Sequence, residues 1–233
     1  MKRRVRMLVM AGLLAAAAVL LAGLPAQAGE VPCPQINAKC VVVWYGLDGA
    51  LRQIYRWDLK TATPVNISNN LIDNYNPQIN DKGVVVWYGF DGAHYQIYRW
   101  DPKTATPVNI SNNSRDNYPP QINDKGVVVW SGHDGTHNQI YRWDPKTATP
   151  VNISNNLGQK LFPQINAQGV VVWWGDDLQI YRWDPLTATP VNYSNNSLQN
   201  YAPQINAKGR VVWAVWDEVQ GWLVCLDTVK IWP

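Results

Sequence analysis

A block of about forty-three residues is written five times along this chain. The tetrapeptide Pro-Gln-Ile-Asn begins at Pro34, Pro77, Pro120, Pro163 and Pro203, so the spacings are 43, 43, 43 and 40 residues. The same phrases follow in each copy: Val-Val-Trp, a tight turn containing Asp, Ile-Tyr-Arg-Trp-Asp and Thr-Pro-Val-Asn-Ile-Ser-Asn-Asn, with the fifth copy the most divergent. A period of this length with several short strands per unit is typical of a β-propeller rather than a helical solenoid.

The second copy predicts four strands. They are Pro77–Asn80, Val84–Tyr88, Gln96–Trp100 and Val108–Ser111, separated by Asp-Gly, Asp-Pro and other turn signals. Tyr and Trp alternate onto one face of a strand, and blades pack face to face, so we expect the repeated aromatics to form the core between blades. The sequence therefore predicts an all-β, five-bladed β-propeller of four-stranded repeats, with residues 29–233 as a single domain.

The first 28 residues lie outside the repeat. Four basic residues precede an apolar stretch, Met7 to Leu24, and Ala26 and Ala28 then provide small residues at a cleavage site. This order predicts a signal peptide of residues 1–28 and a secreted or periplasmic protein, with no stable membrane insertion after cleavage; the alternative is an uncleaved anchor. Without the signal, 16 basic residues stand against 17 acidic ones. No basic excess is left to attract nucleic acid.

The phrases Gly-Val-Val-Val-Trp-Tyr-Gly-Phe-Asp-Gly, Gln-Ile-Tyr-Arg-Trp-Asp and Val-Asn-Ile-Ser-Asn-Asn resemble the repeats of TolB-like propellers, also called WD40-like or PD40 repeats. The resemblance covers Pro34 to about Asn200. It differs where the family usually has Trp-Ser-Pro-Asp and this chain has Ile-Asn-Asp-Lys. The separate N-terminal domain of TolB is also missing. The resemblance implies the propeller fold and leaves a part in the Tol envelope machinery unsupported.

Candidate ligand contacts lie in the loop after the Val-Val-Trp strand, because surface loops carry function more often than strands do. There an aromatic ring and a carboxylate recur close together in sequence, a combination that suits a sugar or a polar peptide. The candidates are Tyr45, Asp48, Tyr88, Asp91, Asp134, Trp174 and Asp176. Because Ser131 replaces the aromatic residue in the third copy, we expect two or three unequal sites. The alternative is that the Asp residues only stabilise tight turns.

Catalysis and cofactor binding have little support in the sequence. A glycosidase needs two carboxylates in different environments, but repeat-equivalent Asp residues share one environment. The exceptions, such as Asp177 and Glu218, lie in no recognisable motif, and His133 and His137 flank a turn in one copy only. We therefore expect no enzyme activity, no cofactor and no metal site.

Three cysteines, Cys33, Cys40 and Cys225, fit an oxidising compartment. We expect one chain to close its own ring as a monomer, by packing between blades one and five. A disulfide from Cys225 to Cys33 or Cys40 would act as a clasp across that junction.

Three function classes remain open. The first is a binding scaffold that presents repeated loops to a protein or envelope partner. The second is a multivalent lectin, and the third, least favoured, is a five-bladed glycoside hydrolase.

Overall fold

The computed structural model describes residues 33–155, 158–227 and 229–231, and every regular element in these ranges is a β-strand. The predicted signal peptide and its cleavage point lie outside the described residues. Within the described ranges, no helix is long and apolar enough to span a membrane.

Twenty strands form five antiparallel sheets of four, each sheet in chain order. Blade one contains β1 (Gln35–Ile36), β2 (Val42–Asp48), β3 (Leu51–Trp57) and β4 (Val65–Asn66). Blade two contains β5 (Asn74–Ile79), β6 (Val85–Phe90), β7 (Tyr95–Trp100) and β8 (Pro107–Asn109). Blade three contains β9 (Gln121–Ile122), β10 (Val128–His133), β11 (Asn138–Trp143) and β12 (Pro150–Asn152). Blade four contains β13 (Lys160–Ile165), β14 (Val171–Gly175), β15 (Ile180–Trp183) and β16 (Pro190–Asn192). Blade five contains β17 (Gln199–Ile205), β18 (Val211–Asp217), β19 (Gly221–Leu226) and β20 (Val229–Ile231). The predicted five-bladed propeller architecture is confirmed.

Strand limits differ from the sequence prediction mainly in the first strand of a blade. In blade two this strand begins at Asn74 rather than Pro77, and its pairing with β6 shifts register between Tyr75 and Gln78. Asn76, inside this bulge, has a φ of 45°. Blades four and five have the same irregularity. The sequence predicted that the strand begins at the Pro, but it did not predict the bulge that lets the strand begin three residues earlier.

The core lies between successive blades, as predicted from the aromatic alternation. Each blade has an upstream face, toward the preceding blade, and a downstream face, toward the next one. Val85, Trp87 and Trp100 on the upstream face of blade two pack against Val43 and Ile54 on the downstream face of blade one. Equivalent clusters join blades two to three, three to four and four to five.

Asparagines at the first turn of each blade link the blades near the axis. The Nδ2 of Asn37 donates to the carbonyl of Asn80, and the pattern repeats from Asn80 to Asn123, Asn123 to Asn166 and Asn166 to Asn206, at 2.9 to 3.3 Å. These bonds satisfy buried polar groups and fix the distance between neighbouring blades.

The predicted disulfide clasp is not formed in this structure, in which none of the three cysteines is part of a disulfide. Cys225 is buried in the cluster between blades four and five. Its side chain therefore lies on the upstream face of blade five, away from the face that would meet blade one. The sequence placed Cys225 on the correct strand but could not say on which face.

Candidate functional site

The loops divide between two faces of the propeller because each blade is an antiparallel meander. The hairpin face carries the loops between second and third strands together with the connections between blades. The turn face carries the other two turns of each blade. A hydrogen bond of 2.8 Å from the Arg52 amide to Asp73 joins a hairpin of blade one to the following connection. Hairpin and connection thus form one continuous surface.

Among the side chains that the structure describes, charge is segregated between these two faces. On the hairpin face nine acidic residues stand against three basic ones, a net charge of −6: Asp48, Asp73, Asp91, Asp116, Asp134, Asp176, Asp177, Asp217 and Glu218 against Arg52, Arg115 and Lys160. On the turn face twelve basic residues stand against seven acidic ones, a net charge of +5: Lys39, Lys60, Lys82, Lys103, Lys125, Lys146, Lys208, Arg56, Arg99, Arg142, Arg182 and Arg210 against Asp58, Asp81, Asp101, Asp124, Asp144, Asp184 and Asp227. The described blades therefore present one acidic and one basic surface.

The predicted site carboxylates stabilise their own loops. Asp91 accepts the amides of Ala93 and His94 at 2.9 and 2.8 Å. Asp134 accepts the amides of His137 and Thr136, and these bonds lower its pKa to about 2. These are the turn bonds that the alternative interpretation predicted.

Asp48 and Asp176 make related local contacts. Asp48 accepts from Asn66 Nδ2 at 3.2 Å, and Asp176 accepts the Gln159 amide at 2.9 Å. Both side chains belong to exposed residues, so each retains acceptor capacity toward solvent.

The structure does not combine the predicted aromatic rings with these carboxylates. Tyr88 packs in the cluster toward blade three, on the downstream face. Asp91 instead acts on Tyr98, which stacks on Trp87 on the upstream face; burial and then the Asp91 charge raise the pKa of Tyr98. Burial and then the neighbouring Asp likewise raise the pKa of Tyr55 and Tyr141. Alternation could have shown this, because residues three apart in a strand lie on opposite faces.

Aromatic cluster one consists of four residues of blade two and one residue of blade one. Tyr75 stacks on Tyr88, with centroids 5.4 Å apart, and also contacts Tyr45. The cluster consists of Tyr45, Tyr75, Tyr88, Phe90 and Tyr95. The guanidinium of Arg52 lies 5.2 Å from the Tyr75 ring centre. The Arg52 side chain therefore already covers part of this cluster.

Aromatic cluster two lies between blades four and five and is more open. Trp174 stacks on Tyr201 at 6.3 Å and contacts Phe162 at 6.4 Å. The cluster consists of Phe162, Trp174, Tyr201, Trp216 and Trp222. Among the described side chains, the Trp174 indole N–H is a buried donor with no hydrogen-bond acceptor.

Phe162 is the unusual member of cluster two. Its side chain is 63% exposed, and its φ is 55°. The equivalent bulge residues are Asn76 and Ala202, with φ of 45° and 49°. Asn tolerates this left-handed conformation well, whereas a bulky residue is strained in it. Sequence analysis missed Phe162, since a positive φ leaves no mark on a Phe in the sequence.

Blade four also contains a buried lysine. Lys160 is 1% exposed; its Nζ lies 3.9 Å from Asp176 and 5.0 Å from the Tyr181 ring centre. The Tyr181 hydroxyl donates to Asp177; burial and this hydrogen bond raise the pKa of Tyr181. Lys160 and Asp177 have no counterparts in the other blades, and sequence analysis singled out only Asp177.

Two cavities open on the turn face. One of about 290 Å³ lies on the axis and is lined by Asn37, Asn80, Asp81 and Asp124 among others. There Asp81 and Asp124 accept amides from the preceding blade, at 2.8 and 2.9 Å. The other, of about 550 Å³, lies beside Arg182 and Leu186. In the described part of the chain, no three His, Cys, Asp or Glu side chains meet at a potential metal site.

Comparisons with known proteins agree on the fold. No protein family and no curated protein matches the sequence. Among solved structures, TolB from Acinetobacter baumannii is 19% identical with a TM-score of 0.59, over 84% of this chain and 51% of that one. A putative TolB from Agrobacterium tumefaciens is 14% identical with a TM-score of 0.60, over 86% and 80%. A prolyl endopeptidase is 10% identical with a TM-score of 0.65, over 88% and 35%.

These identities show a TolB-like propeller fold and nothing finer. The chain spans about half of the Acinetobacter TolB and about a third of a puromycin hydrolase that it also resembles.

Proposed function

We propose that this chain is a non-catalytic binding scaffold that works outside the cytoplasm and takes its ligand on the hairpin face. Phe162 is the observation that carries the proposal. An exposed aromatic side chain in a left-handed backbone conformation costs free energy and adds little to the core. A ligand contact gives this residue a use, and strained residues cluster at such sites.

Cluster two suits a ligand with a flat apolar part. Phe162 and Trp174 provide ring faces, and the Phe162 ring is largely exposed. The net negative charge of the hairpin face favours a partner that carries positive charge. A basic or aromatic segment of an envelope protein combines these properties and is our first choice.

A carbohydrate ligand is the second candidate. The stacked rings of Trp174 and Tyr201 suit the flat face of a sugar ring, and the exposed carboxylates of the hairpin face can accept hydrogen bonds from its hydroxyl groups. Cluster one is filled by its own rings and by Arg52, whereas cluster two is open. We therefore expect one main site and at most one weaker site, rather than five equal sites.

Replacing Phe162 with Asn should separate binding from stability. Asn76 occupies the same bulge in blade two with φ of 45°, so the variant should fold and be at least as stable. We expect binding to weaken at least about tenfold, as for loss of an aromatic anchor. Labelled protein would be applied to glycan arrays and to arrays of defined basic and aromatic peptides.

Leu186→Asn, an exposed apolar position on the turn face, is the matched control. Glycan binding lost in the Phe162 variant alone would select the lectin, and peptide binding lost in that way would select the scaffold. Equal binding by wild type and both variants would contradict a ligand site at cluster two.

Export is tested separately at the amino terminus. The order of basic, apolar and small residues predicts that the exported protein begins at Gly29. N-terminal sequencing of the secreted or periplasmic fraction should find this residue, and Ala28→Leu should block processing because cleavage needs a small residue there. Intact Met1 in the wild-type membrane fraction would instead indicate an anchor.

A further inference from the structure

The downstream face of blade five is exposed in the described part of the chain. On the other four blades the central isoleucine of this face, Ile54, Ile97, Ile140 or Ile180, is fully buried by the next blade. The residue at that position in blade five is Val224, which is 45% exposed. Trp222 on the same face is also exposed. On blade five, the positions that the next blade covers in blades one to four are therefore exposed.

The upstream face of blade one is uncovered in the same way. Ile36 is 66% exposed, whereas its equivalents in the other blades, Ile79, Ile122, Ile165 and Ile205, pack in inter-blade clusters. Val42 and Trp57 are also more exposed than their equivalents in blade two, Val85 and Trp100.

The asparagine series ends at the same junction. Asn206 is exposed, whereas the four preceding members of the series are buried. No hydrogen bond from Asn206 Nδ2 to Asn37 joins the described ends of the series, and none of the hydrophobic clusters there combines blades one and five. The described blades form a series with two unlike ends rather than a ring closed by the expected packing.

We propose that the downstream face of blade five binds the upstream face of blade one in a second copy of this chain. The two faces are complementary rather than self-complementary, since every contact within the chain pairs a downstream face with an upstream one. A second copy provides an upstream face on its own blade one. That face has the same types of residue as the upstream faces that cover the equivalents of Val224 in blades one to four. The contact would continue the four existing inter-blade interfaces.

This contact is heterologous, with different surfaces on the two partners. Such contacts give rings when the rotation closes and open chains when it does not. Burial of exposed Trp and Val side chains drives the association, as it does within the chain. The expectation of a monomer depended on closure within one chain, and no hydrophobic cluster of the described residues combines blades one and five.

Lysine substitutions on the two faces test the proposal. Ile36→Lys places a charge on the upstream face of blade one, and Val224→Lys places one on the downstream face of blade five. Both positions are exposed within one chain, so each variant should fold, and Leu186→Lys is the matched control. Sedimentation velocity over a range of concentrations would measure assembly, and circular dichroism would check the fold.

We expect wild type and Leu186→Lys to associate with increasing concentration, and each face variant alone to associate at least about tenfold more weakly because a buried unpaired charge is costly. A mixture of Ile36→Lys and Val224→Lys should recover dimers of one copy each, since each variant retains the face that the other lacks. A wild type that stays monomeric at all concentrations, with face variants of lower thermal stability, would overturn the proposal in favour of closure within one chain. Monomers with unchanged stability would overturn it in favour of another partner.

Discussion

Lys160 occupies a position where blades two, three and five have Asn. In those blades the Asn Oδ1 accepts the indole N–H of the core tryptophan, at 2.7 Å for Trp87 and 2.8 Å for Trp130 and Trp213. A lysine ammonium has no acceptor to offer. In blade four the buried Trp173 N–H accordingly has no hydrogen-bond acceptor among the described residues. The pair of Lys160 and Trp173 therefore lacks a stabilising hydrogen bond that blades two, three and five have.

Lys160→Asn should therefore stabilise the protein. The substitution restores the missing hydrogen bond and removes a buried charge, so we expect the free energy of unfolding to rise by about 1 kcal/mol. Urea unfolding of wild type and variant measures the change.

Asn117→Lys is the reverse change in blade three, and it should destabilise by about 1 to 3 kcal/mol because Trp130 loses its acceptor. If Lys160→Asn is less stable than wild type, the contacts of Lys160 with Asp176 and Tyr181 outweigh the unpaired indole.

Turns between strands are the elements in which the repeated Asp residues act. Asp58 follows the third strand of blade one and accepts the backbone amides of Thr61 and Lys60. These bonds, together with the Arg56 guanidinium 2.7 Å away, lower the pKa of Asp58 to about 2. In blades two and three the equivalent Arg nitrogen and Asp oxygen are 2.6 Å apart. The repeat thus places a charge-assisted turn in blade after blade.

Acid should destabilise the propeller through these turns. The pKa of Asp58 and of Asp134 is about 2 in the folded protein and about 3.8 ordinarily, so the unfolded chain takes up protons first. Their contribution is complete above about pH 4 and is lost as the pH falls toward 2. Thermal unfolding between pH 2 and pH 6 should show this loss.

Asp134→Asn provides the control, because an Asn side chain can accept the same turn amides without a charge. Its melting temperature should fall less steeply below pH 4 than that of wild type. Parallel curves for the two proteins would show that Asp134 does not contribute to the acid transition.

At the scale of the whole molecule, the meander turns a mixed sequence into two oppositely charged faces. The basic residues after the third strand and the acidic residues of the hairpins alternate along the chain, so no charge run is visible in the sequence. The antiparallel fold sends the two sets to opposite ends of every blade. The ligand site lies on the hairpin face and the proposed contact between copies lies at the ends of the blade series, and the two surfaces meet at Trp222.

The repeat period, strand alternation and turn residues determined the blade, its four strands and the burial of the Val-Val-Trp tryptophans, because each depends on local pattern. The same pattern named Trp174 and Asp176 as candidates, and of these Trp174 lies in the more open aromatic cluster. It gave no sign that Phe162 has a positive φ, because that conformation is imposed by the bulge between neighbouring strands. Only the tertiary structure decided which face of blade five Cys225 occupies and whether Ile36 and Val224 are covered, because both depend on where whole blades lie relative to one another.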